Sequence, residues 1–168
     1  MKNYLVIILL IAVANLSMGQ EKILPDSNYK KRVLQEFKDN YSKCSPSKIV
    51  KGISFLHKKQ ELWSVCKLDT GNRIITIESY KKETYYQEIY FEVNRKLRYA
   101  KETEDYMPKN SFTQMPWNVE YFFIKGELVD IISLGHGKTE NPSWNPDFII
   151  SMYKNRIVEY NKIIKNSK

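Results

Sequence analysis

The side chain best suited to acid–base chemistry is His136, which lies between two glycines in Gly135-His136-Gly137-Lys138. A histidine in such a loop after a strand is expected to be exposed, and imidazole is the side chain most often used as a general acid or base in proteins. With an acid such as Asp130 or Glu140 as its partner, it would be the general base of a small envelope hydrolase. The alternative is a solvent-facing histidine in a flexible turn. The sequence contains neither a Gly-x-Ser-x-Gly segment nor a glycine-rich phosphate loop.

Metal and cofactor chemistry has little support in this composition. The chain has 2 His and 2 Cys, and neither histidine has a carboxylate or cysteine partner at the spacing of a metal site. His57 is followed by two lysines and is interpreted as a surface residue. We therefore expect no metal and no cofactor, and the residues favour a protein that is not an enzyme.

Aromatic side chains are the more unusual feature, with 3 Trp, 12 Tyr and 7 Phe. Tyr86 and Tyr90 alternate with Glu88 and Glu92, so a strand here places all of them on one face, and the glutamates indicate that this face is open. Exposed tyrosines offer rigid apolar area with a polar tip to a ligand. The alternative is cross-strand packing that only stabilises the sheet. The candidate binding residues are Tyr86, Tyr90, Trp117 from the long connection at 105–118, and His136.

The first residues have the three-part pattern of a secretory signal peptide. Lys2 gives a positive start, residues 4–14 are uncharged and almost wholly apolar, and small residues occupy the first and third positions of Ser17-Met18-Gly19. A membrane anchor would need about 20 apolar residues, and Asn15 interrupts the run. We therefore expect residues 1–19 to be removed and residues 20–168 to be exported, to the periplasm or beyond it, as one domain without a transmembrane segment.

Export changes the interpretation of Cys44 and Cys66, the only cysteines. An oxidising compartment allows them to form a disulfide. The alternative is two buried free thiols that behave as small apolar residues. The sequence predicts the disulfide, which would join the end of a helix to a strand.

The hydrophobic period changes twice along the chain. Apolar residues recur at three- and four-residue steps from Val33 to Cys44, and again after Asn145-Pro146-Asp147, which predicts two amphipathic helices with Asp26 or Ser27 and Asn145 near their starts. Between the helices the period is two. Strands are predicted at 62–68, 73–80, 85–93, 97–102, 119–124 and 127–134, whereas 49–56 fits either a short helix or a strand. The predicted fold is α+β, an antiparallel β-meander of five to six strands flanked by an N-terminal and a C-terminal amphipathic helix.

The formal net charge of +8 is concentrated at the two ends of the chain. Residues 20–60 have 10 basic and 4 acidic side chains and residues 146–168 have 5 and 2, whereas residues 61–145 have 11 and 13. The helix lysines form either a solvated face or a surface for anionic lipid or lipopolysaccharide. Nucleic acid is not favoured, because no basic-aromatic module of known spacing is present.

These observations favour a small exported, non-catalytic binding protein that contacts a protein or glycan of the cell envelope through an aromatic sheet face. The two alternatives are the envelope hydrolase that uses His136 and the association with an anionic surface through the helix lysines.

Overall fold

A computed structural model describes residues 25–56, 59–69, 71–106 and 115–166. Within these ranges, two α-helices flank seven strands along the chain: α1 (Tyr29–Tyr41), β1 (Ile49–Leu56), β2 (Lys59–Asp69), β3 (Asn72–Lys81), β4 (Thr84–Val93), β5 (Lys96–Tyr106), β6 (Trp117–Ile124), β7 (Glu127–Leu134) and α2 (Phe148–Asn166). The predicted signal peptide at 1–19 and His57 lie outside the described residues. Neither described helix has the length and apolar character needed to cross a membrane.

The strands form one antiparallel sheet in the order β1-β2-β3-β4-β5-β6-β7. The predicted meander and the α+β class are confirmed, but the count of five to six strands is wrong, because the ambiguous segment 49–56 is a strand. Its residues pair in register with β2 from Ile49 opposite Cys66 to Leu56 opposite Lys59. Gly52 obscured this strand in the sequence. A Cβ at Gly52 would come within 2.5 Å of Ile163 Cγ2, so the glycine lets α2 approach the edge of the sheet.

The two helices lie on opposite faces of the sheet, because the helix residues belong to two separate core clusters. In the first, which we call the α1 cluster, Tyr29 and Val33 of α1 are buried with Phe91, Tyr99 and other side chains of one face. The α2 cluster contains Trp63, Val65, Ile75, Ile77, Tyr90, Ala100, Trp117, Val119, Tyr121, Phe123, Ile149 and Tyr160. The expectation that the face of Tyr90 is open is therefore wrong, since α2 covers it.

Both helix starts use a side chain that the sequence singled out. The Oδ1 atom of Asp26 accepts a hydrogen bond from the backbone N–H of Asn28 at 2.9 Å. Asn145 Oδ1 accepts one from the backbone N–H of Asp147, also at 2.9 Å. These bonds satisfy backbone groups at the helix entrances that have no partner within the helix.

The predicted disulfide between Cys44 and Cys66 is confirmed, with the two Cα atoms 5.8 Å apart. Cys44 follows the end of α1 and Cys66 lies in β2 beside the α1 cluster. The bond therefore attaches α1 to the sheet at the end of the helix. Its presence is compatible with export.

Removing this bond is expected to lower the free energy of unfolding by about 3 kcal/mol, because the bond closes a loop of 22 residues in the unfolded chain. The measurement is urea denaturation of the wild type and of the Cys44→Ser/Cys66→Ser variant. Reduction of the wild type should produce the same shift, together with a mass gain of about two hydrogens. An unchanged urea midpoint after complete reduction would contradict this role.

Candidate functional site

The loop after β7 contains His136, whose side chain is 88% exposed. Its Nδ1 atom is hydrogen-bonded to Glu140 Oε1, four residues further along the chain. The other predicted partner, Asp130, instead forms an ion pair of 2.9 Å with Lys30 of α1. Of the two acid–histidine pairs considered, the structure brings together His136 and Glu140, and both side chains are exposed to solvent.

The glycines on either side of His136 are required by packing against β6 rather than by flexibility. Gly135 has a φ of +82°, and a Cβ there would lie 3.1 Å from Trp117 Cα. A Cβ at Gly137 would overlap the Trp117 ring. The ring is 2% exposed, and its Nε1 atom donates a hydrogen bond of 3.0 Å to Thr139 Oγ1. Trp117 therefore begins a strand and is buried, and its predicted place in a long loop is wrong.

Replacing Gly137 by Ala is expected to destabilise the protein by about 1–3 kcal/mol, because the added methyl group must displace the Trp117 ring. The expected signs are a lower melting temperature and a changed tryptophan fluorescence maximum. Gly126, which is half-buried and where a Cβ would meet nothing within 4 Å, has a φ of +91°. Gly126→Ala is the control for backbone strain alone, and its fluorescence should remain that of the wild type.

The two tyrosines of the predicted aromatic sheet face lie in different environments. Tyr90 is 0% exposed, its ring is 5.6 Å from that of Tyr153, and its hydroxyl donates to Glu88 Oε2 at 2.7 Å. Burial, and then the charge of Glu88, raise the pKa of Tyr90 well above its usual value. Tyr86 is only partly buried and lies opposite Glu104. Burial, followed by that carboxylate, also raises the pKa of Tyr86.

Three of the four predicted binding residues share one corner of the sheet. The register places Tyr86 opposite Glu104, and Glu104 opposite Trp117, around which the His136 loop folds. Tyr90 lies further along β4, under α2. Because Tyr90 and Trp117 are buried, these residues do not form an exposed aromatic surface.

Sequence reasoning missed a buried ionic cluster beneath α2, centred on Arg156. The guanidinium donates to Glu61 at 3.0 Å, to Glu88 at 2.7 and 2.8 Å, and to Glu159 at 2.8 Å. Burial by itself lowers the pKa of Arg156, but the hydrogen bonds from the carboxylates, Glu88 first, raise it overall. A signal for this cluster was available in the sequence, because Arg156 falls between Tyr153 and Tyr160 on the apolar face of the helix.

The open part of the sheet is on the α1 side, at the end that α1 does not cover. We call it the uncovered half-face. It begins beyond the α1 cluster and includes Lys51, Ile53, Leu62, Ser64, Thr76, Glu78, Tyr80, Tyr85, Gln87, Thr103 and Asn118, which share the face of Cys66, Ile74 and Tyr99 by strand alternation. Large apolar side chains are exposed here: Ile53 by 54%, Leu62 by 43% and Tyr80 by 59%.

A depression of about 630 Å³ lies at the β1 side of the uncovered half-face, lined by Lys51, Ile53, Leu62, Ser64 and Glu78 among others. Next to it a polar network fixes the neighbouring side chains. The Tyr85 hydroxyl donates to Glu78 Oε1 at 2.5 Å, and Gln87 Nε2 donates to the Tyr85 hydroxyl at 2.9 Å. The Tyr80 ring lies 5.2 Å from the Tyr85 ring.

The uncovered half-face is well suited to hold a ligand by contact and hydrogen bonding. Ser64, Thr76, Gln87, Thr103 and Asn118 give it neutral donors and acceptors. Thr103 Oγ1 and Asn118 Oδ1 are 2.9 Å apart. In the described part of the chain, no group of three or more His, Cys, Asp or Glu side chains is arranged to hold a metal ion.

Comparison of the chain with protein-family models, with curated proteins and with solved structures found no match.

Proposed function

We propose that this chain is a small exported, non-catalytic binding protein that holds a neutral glycan of the cell envelope on the uncovered half-face. The observation that carries the proposal is the exposure of Ile53, Leu62 and Tyr80 beside a depression of about 630 Å³ and a row of neutral polar side chains. This surface replaces the predicted face of Tyr86 and Tyr90, where α2 covers Tyr90.

The side chains of this surface match the chemistry of a sugar better than that of an ion. A tyrosine ring offers an apolar face to the C–H groups of a pyranose, and its hydroxyl offers a polar tip. Amide and hydroxyl side chains such as Gln87, Thr103 and Asn118 can each donate and accept, as the hydroxyls of a saccharide require. The hydrogen bonds around Tyr85 hold part of the surface in place before binding, which lowers the entropy cost of association.

The test is a glycan array followed by calorimetry with the strongest saccharide. Tyr80→Ala is expected to weaken the affinity at least tenfold, because it removes the most exposed ring of the surface. Phe148→Ala is the matched control, since Phe148 is 57% exposed at the start of α2 and should leave the affinity unchanged. Capture of a protein rather than a glycan by the same surface, or equal affinities for the two variants, would contradict the proposal.

Salt distinguishes this site from the surface of helix lysines. Glycan affinity should stay within about twofold between low and high salt, because neutral contacts are not screened, whereas lysine-dependent association with anionic lipid weakens steeply.

A second candidate function rests on the hydrogen bond between His136 and Glu140. In a hydrolase, Glu140 would orient the imidazole and His136 would take a proton from water or substrate. His136→Ala would then abolish turnover of envelope esters or glycosides, whereas Tyr80→Ala would not. Turnover that persists in His136→Ala would end this hypothesis.

A further inference from the structure

We propose that the end of the sheet with the β2–β3 and β4–β5 turns holds a second binding site, for a phosphate group. A cavity of about 260 Å³ lies there between the β2–β3 turn, the β4–β5 turn and α2. It is lined by three basic side chains, Lys67, Arg73 and Arg95, with Asp69, Asn72, Glu92 and Tyr160 among the others. This site is distinct from the uncovered half-face and does not depend on the function proposed for it.

The cavity has an excess of positive charge that the described residues do not neutralise. Lys67 lies directly opposite Arg73 in the register of β2 and β3, and like charges in this arrangement destabilise a sheet. Glu92 compensates Arg73 with bonds of 2.8 and 2.9 Å from Nε and Nη2. No ion pair of Lys67 or Arg95 occurs among the described residues.

The acidic side chains of the cavity are already engaged. Glu92 Oε1 also accepts a hydrogen bond of 2.7 Å from the Tyr153 hydroxyl. Asp69 Oδ2 accepts one of 3.1 Å from Asn72 Nδ2. An oxyanion would meet Lys67 and Arg95 as basic groups that have no ion pair among the described residues, and the remaining charge of Asp69 would oppose its binding.

The β4–β5 turn, which carries Arg95, is held against the β2–β3 turn, at the end of the strand that carries Lys67. The backbone N–H of Arg95 donates to Gly71 O at 2.6 Å, and that of Asn94 donates to Asn72 Oδ1 at 2.8 Å. Gly71 has a φ of +104°, and a Cβ there would lie 3.4 Å from Asn94 Cα. The close contact between the turns positions the Arg95 side chain beside the β2–β3 turn.

Arg95 occupies a backbone conformation that favours glycine. Its φ is +62° and that of Asn94 is +53°, the pattern of a two-residue hairpin turn in which glycine is preferred at the second position. An L side chain is strained there. Arginine at this position therefore reduces stability, which is consistent with a role of its guanidinium outside folding.

The ligand class follows from these groups. A guanidinium binds phosphate oxygens through paired N–H donors, and an ammonium adds a compact positive charge. A volume of about 260 Å³ admits a phosphate group with a small substituent. The group could belong to a soluble molecule or to a phospholipid headgroup, and the experiment separates the two sources.

The experiment titrates inorganic phosphate into the wild type and into a Lys67→Ala/Arg95→Gly variant at constant ionic strength, followed by NMR shifts and calorimetry. The variant should bind at least tenfold more weakly. Because glycine relieves the strain at position 95, the melting temperature of this variant should not fall, so weaker binding cannot be attributed to unfolding.

The matched control of equal charge is Lys31→Ala/Lys43→Ala, with Lys31 in α1 and Lys43 just after it, and it should bind like the wild type. Asp69→Asn should bind severalfold more tightly.

Vesicles of phosphatidylcholine with and without phosphatidylglycerol provide the second arm. Binding to phosphatidylglycerol vesicles that the Lys67→Ala/Arg95→Gly variant loses identifies a lipid headgroup as the source. Binding of inorganic phosphate without vesicle binding identifies a soluble phosphorylated ligand. The proposal is overturned if the wild type shows no saturable phosphate binding or if the variant has the same Kd.

Discussion

Raising the pH above about 10 is expected to unfold the protein in one cooperative step, because several buried tyrosines cannot ionise in the folded state. Burial is the main cause that raises the pKa values of Tyr90, Tyr99, Tyr121 and Tyr153. The second cause is a carboxylate that accepts a hydrogen bond from each hydroxyl, for example Glu102 Oε1 at 2.6 Å from the Tyr121 hydroxyl.

The direction of the pH effect follows from proton linkage. Below the unfolded pKa of about 10, folded and unfolded chains bind the same tyrosine protons and stability is unaffected. Above it the unfolded chain releases protons that the folded chain retains, so each buried tyrosine lowers the free energy of unfolding by about 1.4 kcal/mol per pH unit. Four such groups give a slope of about 5 kcal/mol per unit, enough to unfold a marginally stable domain within one to two units.

The measurement records tyrosinate absorbance and far-UV circular dichroism together as the pH rises. The two transitions should coincide, since the buried hydroxyls ionise when the sheet opens. Tyr99→Phe should reduce the pH slope by the contribution of one proton, whereas Tyr41→Phe, at an exposed helix position, should leave it unchanged. Ionisation of all tyrosines while the dichroism remains native would contradict the prediction.

Replacing Arg156 by Met is expected to cost about 3–5 kcal/mol of stability, because the change leaves buried carboxylates without their cation. Arg156 bonds Glu61, Glu88 and Glu159, and the Glu61 side chain is only 5% exposed. Breaking such a cluster from one side removes the attraction and keeps the desolvation cost of the remaining charges. The measurement is the urea midpoint at pH 7.

Two further variants test whether unpaired carboxylates cause this loss of stability. Arg156→Met/Glu61→Gln/Glu88→Gln should recover at least half of the lost stability, since neutral amides replace unpaired charges. Arg156→Lys should show an intermediate loss, because one ammonium cannot reproduce the fork of a guanidinium. If Arg156→Met alone costs less than about 1 kcal/mol, the cluster is solvated and the argument for it fails.

The sequence predicted the meander and both helices because their signals are local. Alternation, turn residues and capping residues each depend on neighbours a few positions away. The segment of β1 remained ambiguous between helix and strand because Gly52 weakened its pattern. Glycine is needed at this position because the Ile163 side chain of α2, distant in sequence, packs against it.

The open face was predicted wrongly for a physical reason of the same kind. Glu88 and Glu92 alternate like solvent-facing residues, yet both are bonded to arginines, Arg156 and Arg73. Pairing between distant positions lets a charged residue be buried, and a single sequence does not record such pairs. For the same reason the uncovered half-face, which depends on the position of α1, was not predicted.

The strictly consecutive order of the strands has a consequence for how the chain acquires its structure. Each described strand pairs with its neighbours in sequence, and every connection between paired strands except that of β5 and β6 has two residues. The sheet can therefore assemble progressively as the chain emerges. The contacts of α2 with the sheet span large sequence separations, such as Arg156 with Glu61 across 95 positions, and α2 is the last of the described elements in the chain. Docking of the last helix is therefore expected to complete folding, and truncation before Phe148 should leave a sheet whose apolar face is prone to aggregate.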